Sequence, residues 1–565
     1  MSIKKRSFFF SYPIFISVLV PFLYLSNSYA KQLNQAAIAT AHPIATQAGT
    51  QILNQGGNAF DAAVAISATL AVVEPFSSGI GGGGFWLLQN AKTNKTIMID
   101  GRETAPLAST RTMFQDNDGE VIKGVSINGA LAAGIPGEPA ALVHIAKKYG
   151  RLPLSQSLLP AINAAENGFR VSRIYQRMAR FRLKALRKSP AAAKVFLLGN
   201  NVPLLGHVVK QPDLANTLKA IASSGAAGFY QGGIAEALVK GTGAAGGIWT
   251  QQDLLQYKIK EREPILGQYK NYKIISAAPP SSGGIALVSM LNMLEQYDID
   301  KMQPVQRMHT IVEVMRRAYR DRAEFLGDSD FISIPTKKLL SKPYARMLTK
   351  SISSKSATLS SDLKKASPIP QGQHTTHFSV VDKDGSKVSA TLSINYPFGS
   401  CFMPPGTGVL LNDEMDDFSS KPGVPNAYGL VGNENNAIEP GKRMLSSMSP
   451  TIVEDLNNSD YAVIGTPGGS RIITMVLHGI LGFVEGRTAT DIVNLPRYHH
   501  QYLPDSIQIE NNSVSEDTYA DLIFKGHQIK KLNGQYGNMQ VVINRNNKMS
   551  SASDGRGEGL AVVIK

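Results

Sequence analysis

Two adjacent threonines, Thr375 and Thr376, lie where a polar segment gives way to an extended run of alternating residues. A threonine hydroxyl is a poor nucleophile by itself. It becomes a good one when the peptide bond before it is cut, because the freed α-amino group can then act as the base. An α-amino group has a pKa of about 7.7–8.0, which suits proton transfer at neutral pH. Two interpretations are open at this point: an N-terminal nucleophile, or an ordinary junction between a linker and a strand.

The histidines beside these threonines do not form a metal-binding pair. His374 and His377 are three positions apart, and residues with that spacing in a strand point to opposite faces of the sheet. We therefore expect no metal here, and no other motif in the chain calls for a cofactor.

A short acidic segment and one upstream arginine have the residue types that bind an α-amino acid. Four carboxylates lie within five positions, at Asp413, Glu414, Asp416 and Asp417. The spacing of an EF-hand loop is absent, which argues against calcium, and a solvated acidic turn is the simplest alternative. A third interpretation is recognition of an ammonium group, with Arg102 holding a carboxylate through two parallel hydrogen bonds.

A glycine-rich segment, residues 465–471, lies between a predicted strand and a predicted helix. Backbone N–H groups at the start of a helix stabilise anions and developing oxyanions. The segment is not a nucleotide P-loop, because no Lys-Ser/Thr pair follows the glycines; a tight turn without a ligand is the alternative. The paired hydroxyls of Ser446 and Ser447 suggest hydrogen bonding inside a pocket or a capped turn.

The elements that must position these groups can be predicted along the chain. Residues 36–68 indicate a strand and then helices, with Asn58 as a helix cap. Residues 350–374 have the Ser-, Lys- and Pro-rich composition of an exposed linker that ends against Thr375. The remaining predictions are a hairpin of residues 377–381 and 388–394, an amphipathic helix over 308–325, a strand over 461–464 and a helix over 472–484.

The whole chain has the composition of a large globular protein. Its 565 residues exceed the usual limit for one hydrophobic core, which predicts two domains or one large layered domain. The contents of 43% hydrophobic and 18% charged residues argue against global disorder. The net charge of +15 comes from scattered residues without a nucleic-acid-binding motif, so we expect no nucleic-acid partner.

The first 30 residues have the organisation of a secretory signal peptide. Lys4, Lys5 and Arg6 form a basic start, a mainly apolar run follows, and a small-x-small pattern ends at Ala30. We therefore expect residues 1–30 to be removed and the protein to be exported to the periplasm or secreted; an uncleaved membrane anchor is the alternative. A lone cysteine, Cys401, excludes an intramolecular disulfide.

Eight short motifs follow one another along nearly the whole chain. They are Gly-Gly-Asn-Ala-Phe-Asp-Ala-Ala (56–63), the glycines 81–84, Gly-Arg-Glu-Thr-Ala-Pro (101–106), Thr-Thr-His-Phe-Ser-Val-Val-Asp (375–382), Asp-Asp-Phe (416–418), Leu-Ser-Ser-Met-Ser-Pro (445–450), Pro-Gly-Gly-Ser-Arg (467–471) and Pro-Arg-Tyr-His-His-Gln (496–501). Each motif is weak by itself, but eight in this order are specific. Together they resemble the γ-glutamyltransferase (γ-glutamyltranspeptidase) family of N-terminal-nucleophile hydrolases.

The resemblance implies an α+β fold, a four-layer αββα sandwich, and a precursor that cuts itself between His374 and Thr375. Residues 31–374 would then form a large subunit and residues 375–565 a small subunit, and together they would build one αββα unit. Thr375 would be the N-terminal nucleophile of the small subunit.

The resemblance also implies roles for individual residues. The substrate α-carboxylate would bind Arg102, assisted by Ser446 and Ser447. The α-amino group would bind Asn395, Glu414 and Asp417. Backbone N–H groups of Gly468 and Gly469 would form the oxyanion hole. Ser393 matches a position where a threonine commonly bonds the nucleophile, and residues 419–440 resemble a lid loop with Tyr428 as its aromatic residue.

The implied function is that of an exported γ-glutamyltransferase with glutathione hydrolase activity. Its donors would be glutathione and other γ-glutamyl compounds, and its acceptors water, amino acids or dipeptides. Two alternatives are a related acylase for cephalosporin or glutaryl side chains, and a processed but inactive surface protein. The α-amino ligands Asn395, Glu414 and Asp417 argue against the acylase, and an intact Thr375 argues against the inactive protein.

Overall fold

The structure is a computed structural model that describes residues 1–10, 33, 35–363, 375–511 and 513–565. Most of the predicted signal peptide and the predicted cleavage-site residue His374 lie outside the described residues. Within the described part of the chain, no helix is both long enough and apolar enough to cross a bilayer.

Two antiparallel sheets form the centre of the protein. The first contains β1 (Ala36–Thr40), β2 (Gly83–Asn90), β3 (Lys95–Gly101), β6 (Lys260–Arg262), β9 (Thr376–Val381), β10 (Lys387–Ser393) and β18 (Leu560–Ile564). The second contains β7 (Ile265–Tyr269), β8 (Tyr272–Ser276), β11 (Thr451–Asp455), β12 (Tyr461–Gly465), β16 (Gln540–Arg545) and β17 (Lys548–Ser553). Five short strands form two small sheets: β4 (Phe169–Arg170), β5 (Val208–Val209), β13 (Tyr498–His499), β14 (Ile507–Ile509) and β15 (Ile529–Lys531).

Helices cover the outer face of each large sheet. On the first sheet lie α1 (Pro43–Asn54), α2 (Ala59–Val73) and α3 (Glu138–Tyr149). The same core is extended by α4 (Leu154–Asn167), α5 (Arg173–Leu186), α6 (Pro190–Phe196), α7 (Pro212–Ser224), α8 (Ala227–Tyr230), α9 (Gly232–Ala244) and α10 (Gln251–Gln256). The layer on the second contains α11 (Gly283–Leu294), α12 (Pro304–Phe325), α13 (Thr336–Leu339), α14 (Lys342–Thr349), α15 (Ile472–Val484) and α16 (Ala489–Val493). A further helix, α17 (Glu516–Phe524), packs near α12.

Strand β2 shows why its sheet is buried on both faces. Successive side chains of a strand point to opposite faces. Trp86 and Leu88 accordingly join the core under the first helical layer, whereas Phe85 and Leu87 join the core shared with the second sheet. The four-layer αββα arrangement implied by the resemblance is therefore confirmed.

The predicted elements near the site are also confirmed. Asn58 caps α2 through a reciprocal capping box with Asp61, and the predicted hairpin forms β9 and β10. Helix α15 spans the predicted residues 472–484. Helix α12 begins four residues before the predicted start, at Pro304, since proline is well tolerated in the first turn of a helix.

One edge of the first sheet brings the chemically important residues together. Strand β9 begins at that edge immediately after Thr375, and its antiparallel neighbour β10 ends there at Ser393. The next strands, β2 and β3, pair Gly84 with Gly101, so that Arg102 leaves the sheet at the same edge. The antiparallel order of the strands therefore converts distant sequence positions into neighbours.

Candidate active site

A cavity at this edge contains most of the residues singled out from the sequence. Ten of them line it: Arg102, Thr375, Ser393, Asn395, Glu414, Asp417, Tyr428, Ser446, Ser447 and Gly469. Gly468 instead lines a second cavity that also reaches Thr375. Thr375 therefore lies between two cavities, with one glycine of the predicted oxyanion turn facing each.

The two adjacent threonines have different surroundings. Thr375 is buried and lines both cavities. Thr376 is the first residue of β9, and its Oγ1 donates a hydrogen bond of 2.7 Å to Oε2 of the buried Glu74. The geometry thus favours Thr375 over Thr376 as the nucleophile.

Arg102 is bonded to the acidic segment of the cavity. Its Nη1 donates to Oε2 of Glu414 at 2.5 Å, and its Nη2 donates to Oδ2 of Asp417 at 2.6 Å. Glu103 lies 3.5 Å from the same guanidinium. Glu414 begins a 3-10 turn, Glu414–Asp417, that presents both carboxylates to Arg102.

Three carboxylates therefore share one guanidinium in a buried cluster. Burial raises the pKa of Glu414 to about 7, although Arg102 opposes the shift. Burial and the nearby Glu414 likewise raise the pKa of Glu103. Burial tends to lower the pKa of Arg102, but the carboxylates outweigh it and raise the pKa. A second cation beside these acids, such as a substrate ammonium group, would favour their ionised forms.

Ser393 and Asn395 extend the polar wall from the end of β10. The Ser393 hydroxyl accepts a hydrogen bond from the backbone N–H of Asn395 at 2.7 Å, and its nearness to Glu414 tends to lower the pKa of that carboxyl group. A hydroxyl has one donor and two acceptor positions, so Ser393 can still accept a hydrogen bond from a group on Thr375. Asn395 adopts a φ of 72°, and its Nδ2 donates to the carbonyl of Asp413 at 3.0 Å. Its Oδ1 is the atom suited to an ammonium group.

Ser446 and Ser447 are held from the second helical layer. The hydroxyl and backbone N–H of Ser282 both donate to the carbonyl of Ser446, at 2.7 and 2.8 Å. Arg322 in α12 donates to the hydroxyl of Ser282 at 3.0 Å and to that of Ser447 at 3.4 Å. The paired hydroxyls therefore belong to a pocket wall.

The turn between β12 and α15 has the geometry expected of an oxyanion site. Gly468 and Gly469 have φ values of 147° and 58°, in the region that favours glycine. Within the described part of the chain, neither backbone N–H of this pair donates a hydrogen bond. Two such groups beside a nucleophile can stabilise the negative charge that develops on an attacked carbonyl oxygen.

The predicted lid lies over the cavity. Tyr428 is buried, and its hydroxyl donates to the carbonyl of Asn395 at 2.7 Å. Asn426 donates to Oδ1 of Asp417 at 3.1 Å, and the N–H of Ala427 donates to Asp416 at 2.9 Å. The acidic segment therefore binds both Arg102 and the lid.

Sequence reasoning did not single out Glu74, Glu103 or Arg322. Glu103 follows Arg102 directly, and its place in the motif of residues 101–106 could have identified it as a residue of the site. The sequence pattern did not identify Arg322, because the charged residues of an amphipathic helix ordinarily face solvent. Nothing in the sequence distinguishes Glu74, which follows the apolar helix α2 directly.

One group of residues in the described part of the chain has the types and spacing for a metal ion: His309, Glu313 and His527. Nδ1 of His309 lies 2.8 Å from Nε2 of His527, within hydrogen-bond distance. Arg317 donates to Glu313 at 2.6 Å. These contacts explain why the three side chains lie close together without a metal ion between them. None of the three lines the cavity of Thr375.

Comparisons with known proteins agree with this geometry. A family model described as Gamma-glutamyltranspeptidase matches residues 45–564. The glutathione hydrolase proenzyme of Pseudomonas sp. (strain A14) is 45% identical over 85% of this chain and 84% of its own length. The glutathione hydrolase proenzyme of Escherichia coli (strain K12) is 40% identical over 92% of this chain and 90% of its own length. The crystal structure of cephalosporin acylase from Bacillus halodurans superposes with a TM-score of 0.82 at 27% identity, covering 94% of this chain and 96% of that one.

Proposed function

The chain belongs to the gamma-glutamyltranspeptidase family, and we propose that its precursor cuts itself before Thr375 to release that residue as the catalytic nucleophile. The enzyme is a γ-glutamyltransferase with glutathione hydrolase activity, made as a precursor that is processed into two subunits. The large subunit would comprise residues 31–374 and the small subunit residues 375–565. Export after removal of residues 1–30 belongs to the same proposal.

Maturation would begin with attack of Thr375 Oγ on the carbonyl carbon of residue 374. The C–N bond breaks, the α-nitrogen gains the hydroxyl proton, and an ester joins the two parts of the chain. Water then hydrolyses the ester, leaving a carboxylate on His374 and a free α-amino group on Thr375. That amino group supplies the base that the hydroxyl otherwise lacks.

In the mature enzyme the first cavity would hold the γ-glutamyl group. Arg102 would bind the α-carboxylate, and Glu414 with Asp417 would bind the α-ammonium. Thr375 Oγ attacks the γ-carbonyl carbon while the α-amino group takes its proton and delivers it to the leaving nitrogen. The N–H groups of Gly468 and Gly469 stabilise the oxyanion. Water, an amino acid or a dipeptide then receives the acyl group.

The observation that carries the proposal is the position of Thr375 between the Arg102 cluster and the Gly468–Gly469 turn. Mass spectrometry of the purified protein should find a fragment that begins at Thr375. Thr375→Ala should remain one polypeptide without hydrolysis of γ-glutamyl-p-nitroanilide. Two fragments from that variant would contradict the assignment of the nucleophile.

The structural likeness to an enzyme named cephalosporin acylase supports a second candidate activity. Glutaryl substrates lack the α-amino group, so they offer no partner for Glu414 and Asp417. We expect γ-glutamyl-p-nitroanilide to be cleaved much faster than glutaryl-p-nitroanilide. The opposite ranking would favour the acylase.

A further inference from the structure

A buried glutamine, Gln501, lies between the lid and the oxyanion turn. It is the last residue of the Pro-Arg-Tyr-His-His-Gln motif, to which the proposed chemistry assigns no role, and it is 3% exposed. Its Nε2 donates hydrogen bonds to the backbone carbonyls of Tyr428 at 3.2 Å and of Gly429 at 3.1 Å. Its Oε1 accepts a hydrogen bond of 2.7 Å from the hydroxyl of Ser470. One side-chain amide therefore joins the lid to the turn.

The orientation of this amide is determined by its partners. Backbone carbonyls only accept hydrogen bonds, so the NH2 group of Gln501 must face the lid and its oxygen must face Ser470. That oxygen also lies 2.8 Å from Nε2 of His499. Because an amide oxygen only accepts, Nε2 of His499 is the nitrogen that carries a proton. The closed lid thus completes a set of partners for both N–H groups and for the oxygen of the amide.

Ser470 connects the amide to the proposed oxyanion donors. It directly follows Gly469 in the 3-10 turn Gly469–Arg471. Its backbone carbonyl accepts a hydrogen bond from the hydroxyl of Tyr319 in α12. The side chain and the backbone of Ser470 are therefore held by different parts of the molecule. A displacement of Gln501 would release the side-chain half of this restraint.

On the lid side, Gln501 holds the backbone that carries the aromatic ring. The hydroxyl of Tyr428 donates to the carbonyl of Asn395 at 2.7 Å, and the ring lies against Gly469, where an added Cβ would be 2.6 Å from Cδ1. An opened lid would remove the acceptors of both N–H groups of Gln501. Leaving a buried donor without an acceptor is unfavourable, so the amide favours the closed lid.

We propose that Gln501 is a positioning residue that couples closure of the lid to the arrangement of the oxyanion turn. With the lid closed, its amide holds Ser470 and restrains the turn for catalysis. With the lid open, the amide loses its two lid acceptors and the turn loses that restraint. Gln501 itself touches no reacting atom. The inference rests on the proposed function, because it takes Gly468 and Gly469 as the oxyanion donors.

Two substitutions of similar size separate the hydrogen bonds of Gln501 from its packing. Gln501→Glu keeps an acceptor toward Ser470 but places a second oxygen against the two lid carbonyls, whereas Gln501→Met removes every hydrogen bond. Each variant should lower kcat/KM for γ-glutamyl-p-nitroanilide about tenfold to hundredfold at about pH 9. Gln528→Glu, the same change at an exposed position, should behave as the parent. Full activity in both variants at position 501 would overturn the proposal.

Only Gln501→Glu should recover at lower pH. Burial raises the pKa of the introduced carboxyl group, and its protonated form can donate to a lid carbonyl. Its loss relative to the parent should therefore shrink at least about threefold between about pH 9 and about pH 6. Parallel pH profiles for Gln501→Glu and Gln501→Met would overturn the role of the amide N–H groups.

The titratable groups around the amide do not produce this recovery. Burial keeps the pKa of His499 well below its usual value, so the ring stays neutral in this range. Burial raises the pKa of Tyr428 and of Tyr319, whose ring packs edge-on against His499. Arg471 on the turn stays charged. A recovery confined to Gln501→Glu therefore belongs to the introduced carboxyl group.

Chymotrypsin reports the position of the lid directly. It cleaves after aromatic residues, and Tyr428 is buried in the closed lid. Gln501→Glu should increase the rate at which a fragment beginning at Gly429 appears about tenfold at about pH 9. Cleavage after Phe524, which is 92% exposed, is the internal reference and should not change. The assay also works on uncleaved Thr375→Ala, and an unchanged rate at Tyr428 would overturn the role of Gln501 in the lid.

Ser470→Ala tests the link to the turn. It leaves the amide bonded to the lid, so cleavage at Tyr428 should stay slow while kcat falls about threefold to tenfold. An unchanged kcat would show that lid and turn are not coupled through Gln501. A parent enzyme that fails to cleave γ-glutamyl-p-nitroanilide would contradict the proposed function itself, and the chymotrypsin rates separate that failure from failure of the lid contact.

Discussion

Nη2 of Arg102 lies 2.6 Å from Oδ2 of Asp417, in the cavity that Thr375 lines. The two side chains are the proposed ligands of opposite ends of an α-amino acid, and they are bonded to each other. A zwitterionic substrate supplies a carboxylate for Arg102 and an ammonium for Asp417, so each side chain exchanges one ionic partner for another. Both buried charges therefore stay paired when the substrate binds, which avoids the free-energy cost of leaving a buried charge unpaired.

Removal of Arg102 should weaken recognition of the substrate carboxylate. We expect Arg102→Ala to cost about 2–5 kcal/mol in kcat/KM, the scale for truncating one member of a buried charged pair. Arg102→Lys should lose less, because it keeps the charge but not the two parallel hydrogen bonds. Steady-state kinetics with γ-glutamyl-p-nitroanilide measures kcat/KM for both variants. An unchanged KM in folded Arg102→Ala would show that another group holds the carboxylate.

Addition of one methyl group at Gly469 should disturb both the oxyanion turn and the lid. A Cβ there would lie 2.6 Å from Tyr428 Cδ1, and the φ of 58° is unfavourable for alanine. We expect Gly469→Ala to lower kcat about tenfold or more, since it displaces an oxyanion donor. The loss should be smaller when Tyr428→Ala has already removed the ring, because the clash is then relieved. Equal losses in the two backgrounds would show that the lid and the turn are not coupled.

Several parts of this site follow from sequence alone. A hairpin with its turn near Asp384 places the end of β10 beside the start of β9, which predicts that Ser393 lies near Thr375. The cap at Asn58 and the helix over 472–484 follow from local rules of capping and apolar composition. The order of strands in the two sheets was not predicted, because pairing between distant segments has no local signal; the resemblance implied only the four αββα layers.

Other parts could be seen only in three dimensions. The sequence assigns Arg102 and Asp417 to opposite ends of a substrate, but it does not reveal that they bond to each other across 315 positions. Arg322 reaches Ser447 from α12 across 125 positions. The periodicity of a helix identifies its buried face, but it does not say which charged residue on that helix enters a neighbouring pocket.

The protonation of Glu74 should make precursor stability depend on pH. Burial raises the pKa of Glu74 from 4.5 to about 7 in the folded precursor. Between these values the unfolded chain releases the proton while the folded chain keeps it, so the free energy of unfolding falls as pH rises through this window. The contribution is flat below pH 4.5 and above pH 7, and its full size is about 3 kcal/mol at 1.36 kcal/mol per pKa unit.

Uncleaved Thr375→Ala is the suitable background for this measurement, because the new ammonium group of a cut chain would itself favour ionised Glu74. Glu74→Gln can still accept the hydrogen bond of Thr376 but has no proton to release. In urea titrations, the stability of this variant relative to the background should therefore improve by about 2.5 kcal/mol between pH 5 and pH 8, since part of the effect is already present at pH 5. Glu236→Gln, at an exposed position, should run parallel to the background throughout. A parallel curve for Glu74→Gln as well would mean that Glu74 is already ionised in the folded precursor at pH 5.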